Sequence, residues 1–201
     1  MSGGLRPDED LRARMASDVP DRLQSHIDRV VKIADRLARR HSLDVERVRL
    51  TAQGHDVVRH VPGAELLAEA ERRGIDIDPV ERDVPVILHG PIGALVLHER
   101  YGIDDERVLF AIRWHTPGHP DYDGEAWAMF IADKVDPHKV KRWPALQEVA
   151  ELAKESLDAA ALRYLDLRAE QAVARHFEVH PMATLTRNAL LRRLGIASAE
   201  D

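Results

Sequence analysis

Imidazoles and carboxylates dominate the chemistry open to this chain: it has eleven histidines and no cysteine. Thiolate nucleophiles, disulfides, iron–sulfur clusters and cysteine-based zinc sites are therefore excluded. Six residues are candidates to act together. They are His26, the adjacent pair His55-Asp56, His89 before Gly90-Pro91, His115 before a loop, and Asp133. Asp133 lies in FIAD, behind the apolar run Ala126–Ala132, where a bare carboxylate is expensive. A metal, a buried arginine or a helix cap would each offset that cost. His55 and Asp56 diverge by about 100° on a helix, yet can grip one ion if the helix end points at it. The two oxygens of Asp56 can bridge two ions. Sulfur-free imidazole–carboxylate sets suit iron, manganese, zinc or cobalt. Two such ions about 3.5–4 Å apart hold a hydroxide and neutralise phosphoryl charge. Taken singly, each histidine reads as an ordinary surface or packing residue, and Asp133 as a structural hydrogen-bond acceptor.

Basic residues flank these positions. Arg59 follows His55 by four and shares its helix face if the helix continues. Arg113 precedes Trp114-His115, Lys134 follows Asp133, and Lys139, Lys141 and Arg142 form a small cluster. Such groups can neutralise a polyphosphate, or be plain surface charge. His119, in a Gly/Pro-rich loop, could reach into the mouth of a site. His41 suits a helix C-terminus, His60, His98, His138 and His176 read as solvent-facing, and His180-Pro181 reads first as a turn. Trp114, Tyr122, Trp127 and Trp143 are core candidates, one or two of them able to stack on a base.

The elements that position these residues read as helices. Leu23, Ile27, Val30, Val31, Ala34, Leu37 and Ala38 form one stripe at three- and four-residue steps. A second helix runs from an Asp44 cap to His55, a third over Ala64–Arg73 with Gly74 closing it, and a short piece starts at Asp78-Pro79. Pro91 opens a helix that Gly102 stops, and Asp104 caps the next. Thr116–Gly124 is a loop. Glu125–Val135 is helical, ended by Asp136-Pro137. A long helical stretch runs from Pro144 to about Phe177, and Thr184–Leu194 is the last helix. Val84–Leu88 is the one apolar run that could be a strand, and it contains proline. The expected fold is a single all-α domain over residues 20–195, with a flexible lead-in at 1–19 and a tail at 196–201.

Lys+Arg number 29 against Asp+Glu 35, a net charge of −6, which argues against general nucleic-acid binding. With 44% hydrophobic residues the chain can build a sizeable core. No apolar run approaches the roughly 20 residues of a membrane span, and residues 1–20 lack a signal-peptide core, so a cytoplasmic location is expected.

The order His26, His55-Asp56, His89, His115, Asp133 resembles the HD-domain metal-dependent phosphohydrolases. The strings ILHGPIGALV (Ile87–Val96), AIRWHTPG (Ala111–Gly118), MFIADKVDP (Met129–Pro137) and HPMATLTRNALL (His180–Leu191) make it similar, more narrowly, to the bacterial YqeK family over about residues 20–194. That resemblance implies an HD-type helical bundle, commonly dimeric, that hydrolyses diadenosine tetraphosphate symmetrically to two ADP. It implies two divalent ions, iron foremost, with manganese, cobalt or zinc as alternatives. His26, His55, Asp56 and Asp133 would hold one ion, and Asp56 would bridge to a second held by His89 and His115. Metal-activated hydroxide would attack phosphorus, Arg59, Arg113 and Lys134 would engage phosphate, and His119 would bind or protonate the leaving group. The chain departs from the family pattern at Gly54, where leucine is usual, and at Arg59, where lysine is frequent. It departs again at Pro117 and His119, and in KVDPHK after Asp133. Three readings compete: another HD phosphohydrolase, a non-catalytic metal- and nucleotide-binding regulator, and a helical adaptor.

Overall fold

The computed structural model describes residues 7–15 and 17–196; residues 1–6 of the expected lead-in and 197–201 of the expected tail lie outside them. Twelve α-helices and one 3-10 turn follow one another among the described residues, with no strand. They are α1 (Pro7–Met15), α2 (Asp21–Arg40), α3 (Val45–Gly54), α4 (Gly63–Arg72), α5 (Pro79–Asp83), the 3-10 turn Pro85–Leu88 and α6 (His89–Tyr101). Then come α7 (Glu106–Arg113), α8 (Gly124–Lys134), α9 (Pro137–Arg142), α10 (Leu146–Leu152), α11 (Leu157–Arg175) and α12 (Pro181–Arg193).

Helix α8 is the axis of the larger core. Every residue from Ala126 to Lys134 is buried, the pattern of a helix apolar on all sides. It packs against α2, α3 and α11, with Trp127 and Phe130 fully enclosed. The stripe of α2 faces it through Val30, Ile33, Ala34, Leu37 and Ala38. A second core gathers Leu11 and Met15 of α1 with Leu88, Ile92, Leu97, Val108 and Ile112. Helix α3 touches α2 and α8 on one side and α6 and α7 on the other. Its C-terminal end is therefore where the two cores meet.

Capping follows the aspartates. Asp44, Asp78, Asp123 and Asp136 each accept a backbone N–H at the start of their helix. Four details differ from the expectations drawn from sequence. Residues 7–15, within the expected lead-in, form a helix that buries Leu11 and Met15. The cap of α7 is Asp105 rather than Asp104: Asp105 accepts from the N–H groups of Arg107 and Val108, while the Asp104 carboxylate pairs with His98. The stretch from Pro144 to Phe177 divides into α10 and α11, because the Ser156 hydroxyl caps a fresh start by accepting from Ala159 N–H. The last helix begins at Pro181, three residues before Thr184, with His180 as its cap.

Candidate metal centre

Five chain segments deliver six side chains to the seam. His26 projects from α2, and His55-Asp56 follow immediately on Gly54, the last residue of α3. His89 opens α6 after the 3-10 turn, His115 stands just past α7, and Asp133 lies in the last turn of α8. All are buried except His26, which is largely covered.

The histidines are held so that each presents the same nitrogen. The Nδ1–H groups of His55 and His115 donate to the carbonyls of Ala52 and Ile112, at 2.8 and 2.7 Å. His89 Nδ1 donates likewise to Val86, and His26 Nδ1 to the Asp136 carboxylate at 2.7 Å. In these tautomers all four Nε2 atoms turn bare lone pairs inward. His55 Nε2 is buried with no hydrogen-bond partner. His89 Nε2 and His115 Nε2 face each other at 2.8 Å. Two imidazole lone pairs at that distance repel unless a cation lies on them.

Asp56 joins two sets of donors. Its Oδ2 lies 3.7 Å from His26 Nε2 and 3.5 Å from His55 Nε2; its Oδ1 lies 3.2 Å from His89 Nε2 and 3.5 Å from His115 Nε2. His26, His55 and Asp56 thus form one ligand-sized triad, and Asp56, His89 and His115 another. Asp133 Oδ1 adds to the first, 3.1 Å from His26 Nε2 and 3.6 Å from His55 Nε2. Nitrogen and oxygen donors in this arrangement fit two divalent ions sharing a carboxylate bridge.

Electrostatics agree with that donor set. Burial pushes Asp56 up, but His55, His115 and His89 hold it well below the usual carboxylate range. Burial does the same to Asp133, and the ammoniums of Lys134 and Lys139 outweigh it. Burial pulls His115 down to about 4, leaving a neutral ring at pH 7. Burial also pulls on His55, yet Asp56 and Asp133 carry it above its ordinary value: positive charge is wanted at that point.

An open cleft of about 180 Å³ leads to Asp56, His89, His115 and Asp133, edged by Arg59 and Lys139. Arg59 reaches it although α3 ends before it; consecutive turns carry the chain from His55 to His60. Lys134 lines the cleft too, but its ammonium is buried and donates to Asp133 Oδ2 at 2.8 Å and the His115 carbonyl at 2.9 Å. It positions ligands rather than reaching outward. Arg113 is not brought to this cleft: its guanidinium lies over the Trp114 ring, 5.2 Å from the centroid, on the edge of another. His119 is not brought there either. Its ring packs on Phe110 and Trp114, and its Nδ1 accepts the Asp121 N–H.

Sequence reasoning missed Asp136. Its Oδ1 caps α9 and its Oδ2 accepts from His26 and Arg29, at 2.7 and 3.0 Å. The Asp-Pro dipeptide reads only as a helix stop, and the signal for its second role was its register three residues beyond Asp133. Lys139, read as one of a basic cluster, bonds Asp133 Oδ1 directly.

Residue spacing is tight where the second triad forms. A Cβ placed on Gly90 would meet the Arg113 carbonyl oxygen at 2.6 Å. Only a hydrogen there lets the start of α6 abut the end of α7, which brings His89 beside His115.

Residues 23–138 match the HD domain family, and the matched span holds all six ligand candidates. The chain belongs to that family. This HD-domain protein is 27% identical over 162 residues to a symmetrical bis(5'-nucleosyl)-tetraphosphatase of Bacillus subtilis, spanning 81% of this chain and 86% of that one. It is 29% identical over 167 residues to the enzyme of the same name from Halalkalibacterium halodurans, spanning 81% and 85%. A solved structure from Clostridium acetobutylicum, described as a predicted HD superfamily hydrolase involved in NAD metabolism, superposes with a TM-score of 0.85 at 26% identity. The superposition covers 92% of this chain and 96% of that one. The HD-domain hydrolase described here is thus related to the symmetrical tetraphosphatases. Among its described residues no helix is long and apolar enough to cross a membrane.

Proposed function

We propose that this metal-dependent HD-domain hydrolase cleaves diadenosine tetraphosphate symmetrically, giving two ADP. The observation that carries the reading is Asp56, whose two oxygens serve two histidine sets and which lines the cleft together with His89, His115 and Asp133. The names of its relatives supply the substrate class.

His26, His55, Asp56 and Asp133 would hold one ion, and Asp56, His89 and His115 the other, with iron(II) the favoured metal. Bound divalent ions supply Lewis acidity, acidifying water and offsetting charge on phosphorus. The protein's own groups do the rest. Asp136 fixes the His26 tautomer, and Lys134 and Lys139 hold Asp133 in place. Arg59 and the rim of Lys139 engage phosphate oxygens where the cleft opens. Water adds its oxygen to one inner phosphorus, the central P–O bond breaks, and the departing oxygen takes the proton. The packed ring of His119 has no part in this scheme.

The test is to count metal in the purified protein, reconstitute it with iron(II) under reducing conditions or with manganese, and resolve the products of diadenosine tetraphosphate by chromatography. Two ADP per substrate, abolished in Asp56→Ala, is the expected result. AMP plus ATP would overturn the symmetrical placement, and bound metal without turnover would favour another nucleotide substrate or a regulatory binding role.

A further inference from the structure

The outer face of α2 carries charge that the metal centre does not use. Arg22, Arg29 and Arg36 recur at seven-residue intervals, so they form one ridge about 21 Å long. His26 lies four residues after Arg22 and three before Arg29, on the flank of that ridge. Asp21, Asp28 and Asp35 repeat the interval about 100° round the helix, on the side away from His26. The carboxylates of Asp28 and Asp35 are taken by Arg12 and Arg39, each at 2.9 Å. Helix α9 meets the ridge at its middle, because Asp136, its cap, accepts from both Arg29 and His26. Lys139 carries α9 into the wall of the metal cleft, and Arg142, three residues on, shares its side of the helix.

Many cations elsewhere are neutralised where they stand. Arg12, Arg40, Arg107, Arg163 and Arg193 each hold a carboxylate. Among the described residues Arg22, Arg36 and Arg142 are exposed and enter no ion pair. The chain as a whole carries a net charge of −6, so most of its surface turns anions away. An uncompensated row of one sign beside a cleft concentrates counter-charged solutes at its mouth.

We infer that Arg22, Arg36 and Arg142 form a capture surface for nucleoside polyphosphates, which draws the phosphate chain in from solution and passes it to Arg59 and Lys139. Charge complementarity and continuity with the cleft identify the occupant. The row flanks an opening edged by two further cations, and guanidinium and ammonium groups together engage phosphate oxygens. Capture and seating are separable by salt. Exposed charges are screened beyond about 8 Å at physiological ionic strength, whereas contacts inside a cleft are screened much less. Charges at a rim therefore set the association rate, and the enclosed contacts set dissociation. This inference rests on the proposed function and adds to it how the substrate arrives.

Metal-loaded protein is mixed by stopped flow with ADP carrying a fluorescent ribose label, at about 0.02 M and about 0.2 M salt. Wild type is compared with the double variant Arg22→Glu/Arg142→Glu and with Arg175→Glu/Arg192→Glu. The second pair removes exposed, unpaired cations of α11 and α12 and changes net charge equally. Salt should slow wild-type association about tenfold, and Arg22→Glu/Arg142→Glu should slow it about tenfold at low salt and little at high salt. Its dissociation rate, metal content and melting temperature should match the wild type. Arg175→Glu/Arg192→Glu should stay within about twofold of wild type throughout. A salt-independent wild-type rate, or an unchanged rate in Arg22→Glu/Arg142→Glu, would overturn the capture surface. Equal slowing in the two double variants would overturn it as well, since net charge alone would then be acting. If association behaves as expected but diadenosine tetraphosphate is not cleaved, the functional reading falls and the surface stands. If cleavage occurs and association ignores these arginines, the reverse holds.

Discussion

Behind His26 and Asp133 stand other charged side chains: Asp136, itself gripped by Arg29, backs the imidazole, and Lys134 and Lys139 clamp the carboxylate. Behind His89 and His115 stand only main-chain carbonyls, each three residues earlier in the chain. The two halves share Asp56, and His55 is backed by the Ala52 carbonyl as His89 and His115 are by theirs; the charged backing is confined to His26 and Asp133. A carboxylate-backed imidazole is a stronger donor than one backed by an amide carbonyl. The first half also gathers more negative charge from its own ligands. It should therefore keep its ion more tightly, while the second half exchanges more readily.

The largest expected effect comes from removing what the halves share. Asp56→Ala should release both ions and lower hydrolysis about 1,000-fold or more, equivalent to several kcal/mol of transition-state stabilisation. Elemental analysis showing one ion retained would mean that the halves do not depend on a common ligand. Next, His89→Ala should leave about one ion per chain with turnover largely lost. Chelator dialysis of the wild type should likewise remove ions in two steps, and simultaneous release would break the asymmetry. A smaller effect isolates the backing: Asp136→Asn should weaken the first site about 10–100-fold in metal affinity and spare the second. Calorimetric titrations in which both sites weaken equally would remove the distinction.

The same residue predicts a pH signature. Burial raises Asp136, but Arg29, the His138 N–H and His26 bring it below its ordinary 3.8. A lowered folded-state value contributes stability that is complete above the unfolded value and is lost as pH falls through the folded one. Denaturant unfolding should show Asp136→Asn destabilised relative to wild type above about pH 4, with the gap closing at lower pH. A gap constant with pH would show that the carboxylate's charge is not what holds His26.

Much of the fold and the site is legible in the residues alone, for physical reasons that differ by position. The α2 stripe, the Asp44 cap, the Gly102 stop and the buried Asp133 announce themselves through periodicity, backbone freedom and the cost of a bare charge. The six ligand candidates are readable in order, and the structure converges all of them. Asp136 is hidden because one carboxylate does two jobs and only the cap leaves a local trace. Nearness in sequence to His115 suggests Arg113 and His119 for the site, but Arg113, the last residue of α7, lies over Trp114, and the chain beyond packs the His119 ring against the same indole. Adjacent aspartates at 104 and 105 cannot be separated by type, since the cap depends on backbone geometry. Asp105→Ala should cost about 1 kcal/mol and Asp104→Ala less than about 0.5 kcal/mol in thermal unfolding. Equal losses would show that Asp104 contributes to the cap after all.

Gly90 carries a consequence for metal choice. The gap between His89 and His115 is gauged by the radius of a main-chain oxygen against a single hydrogen, and rigid backbone has little room to give. An ion held by His89 and His115 would thereby be selected by size, through an atom that never touches it. One added methyl would widen the aperture, and a protein so altered should admit larger ions while its ligand set stays intact.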